Sequence, residues 1–510
     1  MPNAVDPEVV HREVAEILVG VLGDYGVRAE SITRDTDLHT DLQFESIGTD
    51  LPVLLGHLGA FYGGRVDVFS ALQGMDLHEL ISLRVGTLVD EVVAQLRAHP
   101  DPVLSPPPAF PRAVRPPVPA GGDGVPRRFL FVVPPLTGHV NPTIGVAAHL
   151  VERGHSVAWA GHEPLLRSVL GPDAVVFDCA VPPATDRWAE RGPEVRSMRS
   201  IKVMWEEFLE PLAHAMVPGV RAAVEEFSPS VVVADQQALA GALVAGAAGL
   251  PWATSATTPA ELIDMQAGLP KVHDWLQGMF AGLRKDYGGP SSDLRYSPDL
   301  VLAYTTEDMV GPIPRREPIA YVGPSLHPRP PVGFPWDRLD PHRSLVLVSL
   351  GTISVGAGPR FLREAVAAVR ERSSRVQAVV VDPTGALGPG DADVIVLPAV
   401  PQLDLLGSVD AVICHAGHNT VCEALHHGLP LVVAPVRDDQ PIVAAQVEGV
   451  GAGVQVRFGL ASARHIGAAL DAVLDDPAYR RAAGRIRAAF HDAGGAAAAA
   501  GYLEAYAARG

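Results

Sequence analysis

The residues His415–Pro441 read H-A-G-H-N-T-V-C-E-A-L-H-H-G-L-P-L-V-V-A-P-V-R-D-D-Q-P, and their punctuation decides the fold. A short apolar run, Ala411–Cys414, precedes a turn at His415-Ala416-Gly417, and a helical pattern opens at Asn419-Thr420. Another apolar run, Leu431–Ala434, follows Gly428 and Pro430. Strand, glycine turn, helix and strand in that order make a βαβ unit, with parallel strands covered on both faces. The turn leaves the first N–H groups of the helix unpaired at the positive end of its dipole, which suits a diphosphate without a metal ion. Taken alone, the same turn is also ordinary strand-to-helix geometry.

The rhythm continues outward from this unit. Leu345–Leu350, Val376–Val381 and Val394–Leu397 precede it, giving one α/β lobe over residues 336–510. Further upstream, Phe129–Val133 ends at Pro134-Pro135, and a helix is expected from Asn141 to Arg153, with Asn141 as cap and Pro142 in its first turn. Val157–Ala160, Ala174–Phe177 and Val231–Ala234, which ends at Asp235, complete a first lobe over residues 128–335. The fold class expected is α/β with two Rossmann-like lobes, meeting near the proline-rich Val332–Arg343. Ligands of such sheets bind beyond the carboxyl ends of the strands, here between the lobes.

Ten prolines between His99 and Arg128 mark residues 99–127 as an extended spacer. Before it, Val9, Val14, Ile17, Leu18 and Val21 recur at helical spacing, and the runs Leu51–Leu58 and Leu83–Leu96 follow. Residues 1–98 therefore read as a small all-α domain, a four-helix bundle. It holds sixteen carboxylates against six arginines and no lysine, a balance of −10 within a chain of formal charge −18. Such a surface repels nucleic acid, which excludes that class of partner. Cys179, Cys414 and Cys422 show no ligand or disulfide spacing. Early carboxylates argue against a signal peptide, and no apolar run reaches the length of a membrane span, so a cytoplasmic location is expected.

The stretch from His415 resembles the donor signature of family-1 glycosyltransferases (the UDP-glycosyltransferase superfamily, GT-B fold): His-x-Gly-x-x-Ser/Thr, then Glu, Gly-x-Pro and Asp-Gln. The resemblance runs from about Arg128 to the C-terminus. It implies that His415, Gly417, Asn419 and Thr420 meet the diphosphate of a UDP- or dTDP-sugar, that Glu423 accepts from the ribose hydroxyls, and that Asp439 and Gln440 hold sugar hydroxyls. Gly351 and Thr352 fall where the family has a loop near the phosphates, and Val400 and Gln402 fall in its base-contacting V-P-Q. Ala399 stands where many members have a tryptophan stacked on the base, which leaves uracil or thymine open. Asp391-Ala392-Asp393 resembles a metal-binding D-x-D only superficially, and no metal or other catalytic cofactor is expected.

Gly138-His139-Val140-Asn141-Pro142 matches the family's base motif, and Asp235 falls where its orienting aspartate lies. A neutral imidazole whose tautomer a carboxylate fixes can take the proton of an attacking hydroxyl. The reaction implied is a single displacement at the anomeric carbon with inversion. An apolar hydroxylated acceptor would lie among residues 182–295, with Met198, Met204, Trp205, Phe208, Met265, Trp275 and Met279 as candidate lining or, equally, lobe core.

Asp35–Ile47, D-T-D-L-H-T-D-L-Q-F-E-S-I, resembles an acyl carrier protein, and the resemblance implies 4'-phosphopantetheine on Ser46, with a phosphopantetheinyl transferase and acyl-loading enzymes as partners. Glu45 and Ile47 depart from the carrier Asp-Ser-Leu, and Pro52 interrupts the expected second helix, so Ser46 reads either as a modified serine or as a helix cap in a domain that only docks. The function expected is transfer of a hexose to a natural-product-like acceptor, free or carrier-bound. The alternative is a catalytically silent adaptor in a biosynthetic complex.

Overall fold

The computed structural model describes residues 5–44, 50–98, 124–183, 197–262, 269–311, 318–329, 331–351 and 358–509. Ser46, Thr352, Met265 and nearly all of the proline-rich spacer lie outside them.

In the first lobe, β1 (Arg128–Val132), β2 (Ser156–Gly161), β3 (Val176–Asp178), β4 (Val231–Asp235), β5 (Trp252–Ala256), β6 (Val301–Ala303) and β7 (Ile319–Tyr321) form one sheet. Its order is β3-β2-β1-β4-β5-β6-β7, and every pairing is parallel. In the second lobe, β8 (Ser344–Ser349), β9 (Val376–Val381), β10 (Val394–Leu397), β11 (Ala411–Cys414), β12 (Leu431–Val433) and β13 (Gly453–Gln455) take the order β10-β9-β8-β11-β12-β13, again parallel. Helices cover both faces, which is why runs such as Phe129–Val132 are apolar without alternation and fully buried.

Strand order reverses between β1 and β4 in the first lobe and between β8 and β11 in the second. Neighbouring strands diverge into opposite-going connections at such a point, opening a crevice at their carboxyl ends. Past β1 stands the first turn of the next helix with Gly138 and His139, and β4 ends at Asp235; past β8 and β11 stand Gly351 and His415. Registered neighbours, Val132 with Ala234 and Ser349 with Cys414, bring each pair of exits side by side.

Three expectations need correction. The helix after β1 spans Thr137–Glu152, so it starts before Asn141, places Pro142 in its interior and carries His139 in its first turn. Satisfaction of the helix from outside allows this, as described below. Next, the last helix, Gly495–Ala507, packs on the helix Thr137–Glu152, with Ala499, Ala500 and Leu503 buried among first-lobe strands, so residues 336–510 do not all belong to the second lobe. Tertiary packing of an alanine-rich helix has no signature in its own sequence. Finally, the N-terminal domain holds five α-helices among the described residues, Pro7–Leu22, Asp50–Phe61, Val68–Gln73, Leu77–Ile81 and Val85–Ala98, where four were expected. The two short ones are set off by aspartate caps, Asp67 and Asp76. Pro52 sits in the first described turn of its helix, where a missing N–H is tolerated.

The helical domain is docked on both lobes. Arg457 of the second lobe grips Asp50 through two bonds of 2.7 and 2.9 Å and donates to the carbonyls of Leu22 and Val21. His465 packs against Tyr25 in a tilted arrangement at 4.4 Å between ring centres, and Glu79 faces Lys271 of the first lobe at 3.7 Å. No helix among the described residues is long and apolar enough to cross a membrane.

Candidate active site

His139 lies in the first turn of its helix and Asp235 at the tip of the neighbouring strand, and the two meet. His139 Nδ1 is 3.0 and 3.1 Å from the Asp235 oxygens. The Thr257 hydroxyl, just past β5, donates to Asp235 Oδ2 at 2.6 Å and lies 2.7 Å from His139 Nδ1. The backbone N–H of Gln237 donates to Asp235 Oδ1 at 2.8 Å. All three side chains are buried, which strengthens the electrostatics between them. A carboxylate at Nδ1 keeps the proton on that nitrogen and leaves the basic lone pair on Nε2. Thr257 escaped the sequence reading; its one signal was its place after the carboxyl end of a parallel strand.

Across the cleft, the helix His418–His426 begins one residue past Gly417, slightly earlier than expected. Ala416 takes φ of 61°, a left-handed conformation unusual for alanine, in the turn that aims the helix. The His415 ring lies against Gly351 and Gly417, and a Cβ on either glycine would collide with it. Burial, helped by the charge of Arg437, lowers His415 to about 4, so its imidazole is neutral near pH 7. It therefore acts as a hydrogen-bonding group and not as a cation. Burial lowers His418 to about 4 likewise, and its Nε2 is 3.1 Å from the carbonyl of Tyr304 in the first lobe.

His139, Thr257, Gly351, Gln402, His415, Gly417, Asn419, Thr420, Glu423 and Asp439 line one cleft of about 230 Å³, so the structure brings together residues that the sequence places as far apart as His139 and Asp439. Glu423 is buried, accepts from Gln402 Nε2 at 2.6 Å and is ion-paired with Arg329, a residue sequence reasoning missed because it stands in the loop between lobes. Three of the expected site residues also have partners within the protein. The Asn419 amide points to the carbonyl of Gly138 at 2.9 Å. The Gln440 side-chain oxygen accepts from the backbone of Val436 and Arg437, so it shapes its own loop. Val400 is packed against the core beside the second sheet.

For the acceptor candidates among the described residues, burial favours the core reading over the lining one. Trp205, Phe208 and Met279 are enclosed among the helices of the first lobe, Met198 is buried, and Met204 and Trp275 pack against the same core. Asp391 and Asp393 are paired with Arg370 and Arg343, which makes them structural anchors of a loop.

Residues 341–494 match the family model described as "UDP-glucoronosyl and UDP-glucosyl transferase". Over 412 residues the chain is 30% identical to 4'-demethylrebeccamycin synthase of Lentzea aerocolonigenes, covering 71% of this chain and 94% of that relative. It is 30% identical to demethyllactenocin mycarosyltransferase of Streptomyces fradiae, covering 73% of this chain and 85% of the relative. The crystal structure of CalG4, the calicheamicin glycosyltransferase, superposes with a TM-score of 0.62 at 23% identity, over 75% of this chain and 99% of that one, which establishes the two-lobe GT-B fold. Nothing among these relatives supports a catalytically silent adaptor. The chain belongs to the family-1 UDP-glycosyltransferases and is a glycosyltransferase.

Proposed function

We propose that the enzyme moves a hexose from a UDP- or dTDP-sugar to a hydroxyl of an apolar natural-product-like acceptor, inverting the anomeric centre. The observation that carries this reading is the buried His139–Asp235 pair facing the N-terminus of the helix His418–His426 across one cleft. His139 Nε2 takes the acceptor proton as the oxygen attacks the anomeric carbon. The bond from that carbon to the phosphate oxygen breaks, and the nucleoside diphosphate leaves with its electron pair. Asp235 stabilises the imidazolium that forms, with Thr257 and the backbone N–H of Gln237 holding the carboxylate in place. The N–H groups at the helix start and the neutral His415 receive the charge on the leaving group. Glu423, Asp439 and Gln440 are assigned to ribose and sugar. The names of the two relatives, a rebeccamycin-type synthase and a mycarosyltransferase, favour a natural-product acceptor. The test is incubation with UDP- and dTDP-hexoses and a panel of polycyclic and macrolide aglycones, with the product anomer read by NMR. A product of retained configuration, or full turnover by His139→Ala, refutes the mechanism.

For the N-terminal domain, the grip of Arg457 on Asp50 favours a carrier-like fold retained for docking over a swinging carrier. Incubation with coenzyme A and a broad-specificity phosphopantetheinyl transferase decides between them. A mass gain that Ser46→Ala abolishes makes it a working carrier with a tethered acceptor; no gain leaves the docking role.

A further inference from the structure

We propose that Asn419 is a positioning residue that fixes His139 against the donor helix through the carbonyl of Gly138. This rests on the reading of His139 as the base. Pro142 lies inside the helix Thr137–Glu152, and its nitrogen carries no hydrogen. The helix therefore offers no donor from that position to the carbonyl of Gly138, four residues earlier. The Asn419 amide takes the place of the missing donor, reaching Gly138 O at 2.9 Å from the other lobe. His418 makes a parallel contact to the carbonyl of Tyr304. The first turn of the donor helix is thus fastened to the first lobe at two backbone oxygens, one of them on the residue before His139.

That bond has a mechanistic consequence. The sugar is held through its diphosphate on the helix His418–His426, and the attacking hydroxyl is held at His139. A hydrogen bond between the two supports sets the distance between the reacting atoms. An error of about 1 Å in such a distance costs about a hundredfold in rate. The proline that interrupts the catalytic helix is, on this view, what creates the acceptor for the latch.

Two measurements test the latch. With spin labels on cysteines introduced at the exposed Val151 and Glu371, one in each lobe, the distance distribution is recorded with dTDP or UDP bound. Asn419→Ala is expected to shift it towards longer distances. In turnover, Asn419→Ala is expected to lower kcat about tenfold to a hundredfold while the dissociation constant of the nucleoside diphosphate changes less than about threefold. Pro142→Ala restores a backbone donor to Gly138, so the loss from Asn419→Ala is expected to be smaller in that background. An unchanged distance distribution overturns the proposal, as does a rate loss fully accounted for by weaker diphosphate binding, or strict additivity with Pro142→Ala. Should the wild-type enzyme transfer no sugar, the functional reading fails, and the distance measurement still judges the latch by itself.

Discussion

The guanidinium of Arg329 pairs with the carboxylate of Glu423, and Gln402 donates to the same group at 2.6 Å, so both oxygens that the ribose is expected to use are already engaged. A ribose that donates to Glu423 competes with Arg329 for the carboxylate lone pairs, and Arg329 lines the same cleft as the helix start at Thr420.

Arg329 is therefore expected to have opposite effects on two ligands. Arg329→Gln removes a competitor for the ribose site and a cation from the diphosphate site. Thymidine or uridine should bind about threefold tighter or more, and dTDP or UDP about tenfold weaker. Titration calorimetry on the pair of ligands checks this, and parallel changes in both would show that Arg329 does not exchange between them. Glu423→Ala, which removes the ribose acceptor itself, should weaken all four.

The base and its support should be separable by kinetics. His139→Ala is expected to lower kcat by about 10²–10⁴-fold, the usual contribution of general acid–base catalysis. Asp235→Asn should keep the ring in place while removing stabilisation of the imidazolium, with a loss in the same range. Thr257→Val should cost less, about tenfold, because the backbone N–H of Gln237 still holds Asp235. Equal losses in all three, with Tm unchanged, would mean that Thr257 touches the substrate directly.

Stability should fall as pH drops through the histidine range. His415, His418 and His426 are each lowered to about 4, mainly by burial, against an ordinary value of 6.5. Between about pH 6.5 and 4 the unfolded chain binds protons that the folded chain refuses, so the stability contributed by neutral imidazoles is present above 6.5 and lost as pH falls through this window. Asp471 and Glu504, lowered by their arginine and histidine partners, lose their contribution only further down, below the usual carboxylate range. Tm recorded at half-unit pH steps should decline between 6.5 and 4, and His418→Gln should flatten the decline. A flat profile down to pH 4.5 contradicts the burial argument.

The docked helical domain should come loose when one partner of its buried ion pair is removed. Arg457→Ala removes the guanidinium that faces Asp50 in a site where both side chains are nearly enclosed, at a cost of about 3–5 kcal/mol to docking. Faster amide exchange in Pro7–Leu22 and a separate early unfolding transition are the expected signs. Because the domain touches both lobes, through Arg457 and through Lys271, its release should also widen the cleft, read as a larger radius of gyration.

Much of this protein was legible in the residues alone. The apolar runs at Phe129–Val133, Val231–Ala234, Val376–Val381 and Ala411–Cys414 named buried parallel strands, because a strand covered on both faces has no polar side to alternate with. His139, Asp235 and His415 were placed by the ends of those strands, since loops at the carboxyl edge of a parallel sheet have one cleft to face, whereas Glu423 came from the family resemblance. Apart from His139 with Asp235, which the resemblance implied, pairing at a distance was beyond the sequence. The contacts of Asn419 with Gly138, Arg329 with Glu423, Thr257 with His139 and Arg457 with Asp50 join residues whose chemistry fits many other partners equally well. The same limit hid the fate of Trp205 and Phe208, because an aromatic stripe reads the same whether it lines a pocket or fills a core. Local pattern fixed which groups exist and at which edge they stand. The folding of two lobes and a docked domain against one another decided which of those groups satisfy each other, because a buried donor or charge must find its partner in space and not in sequence.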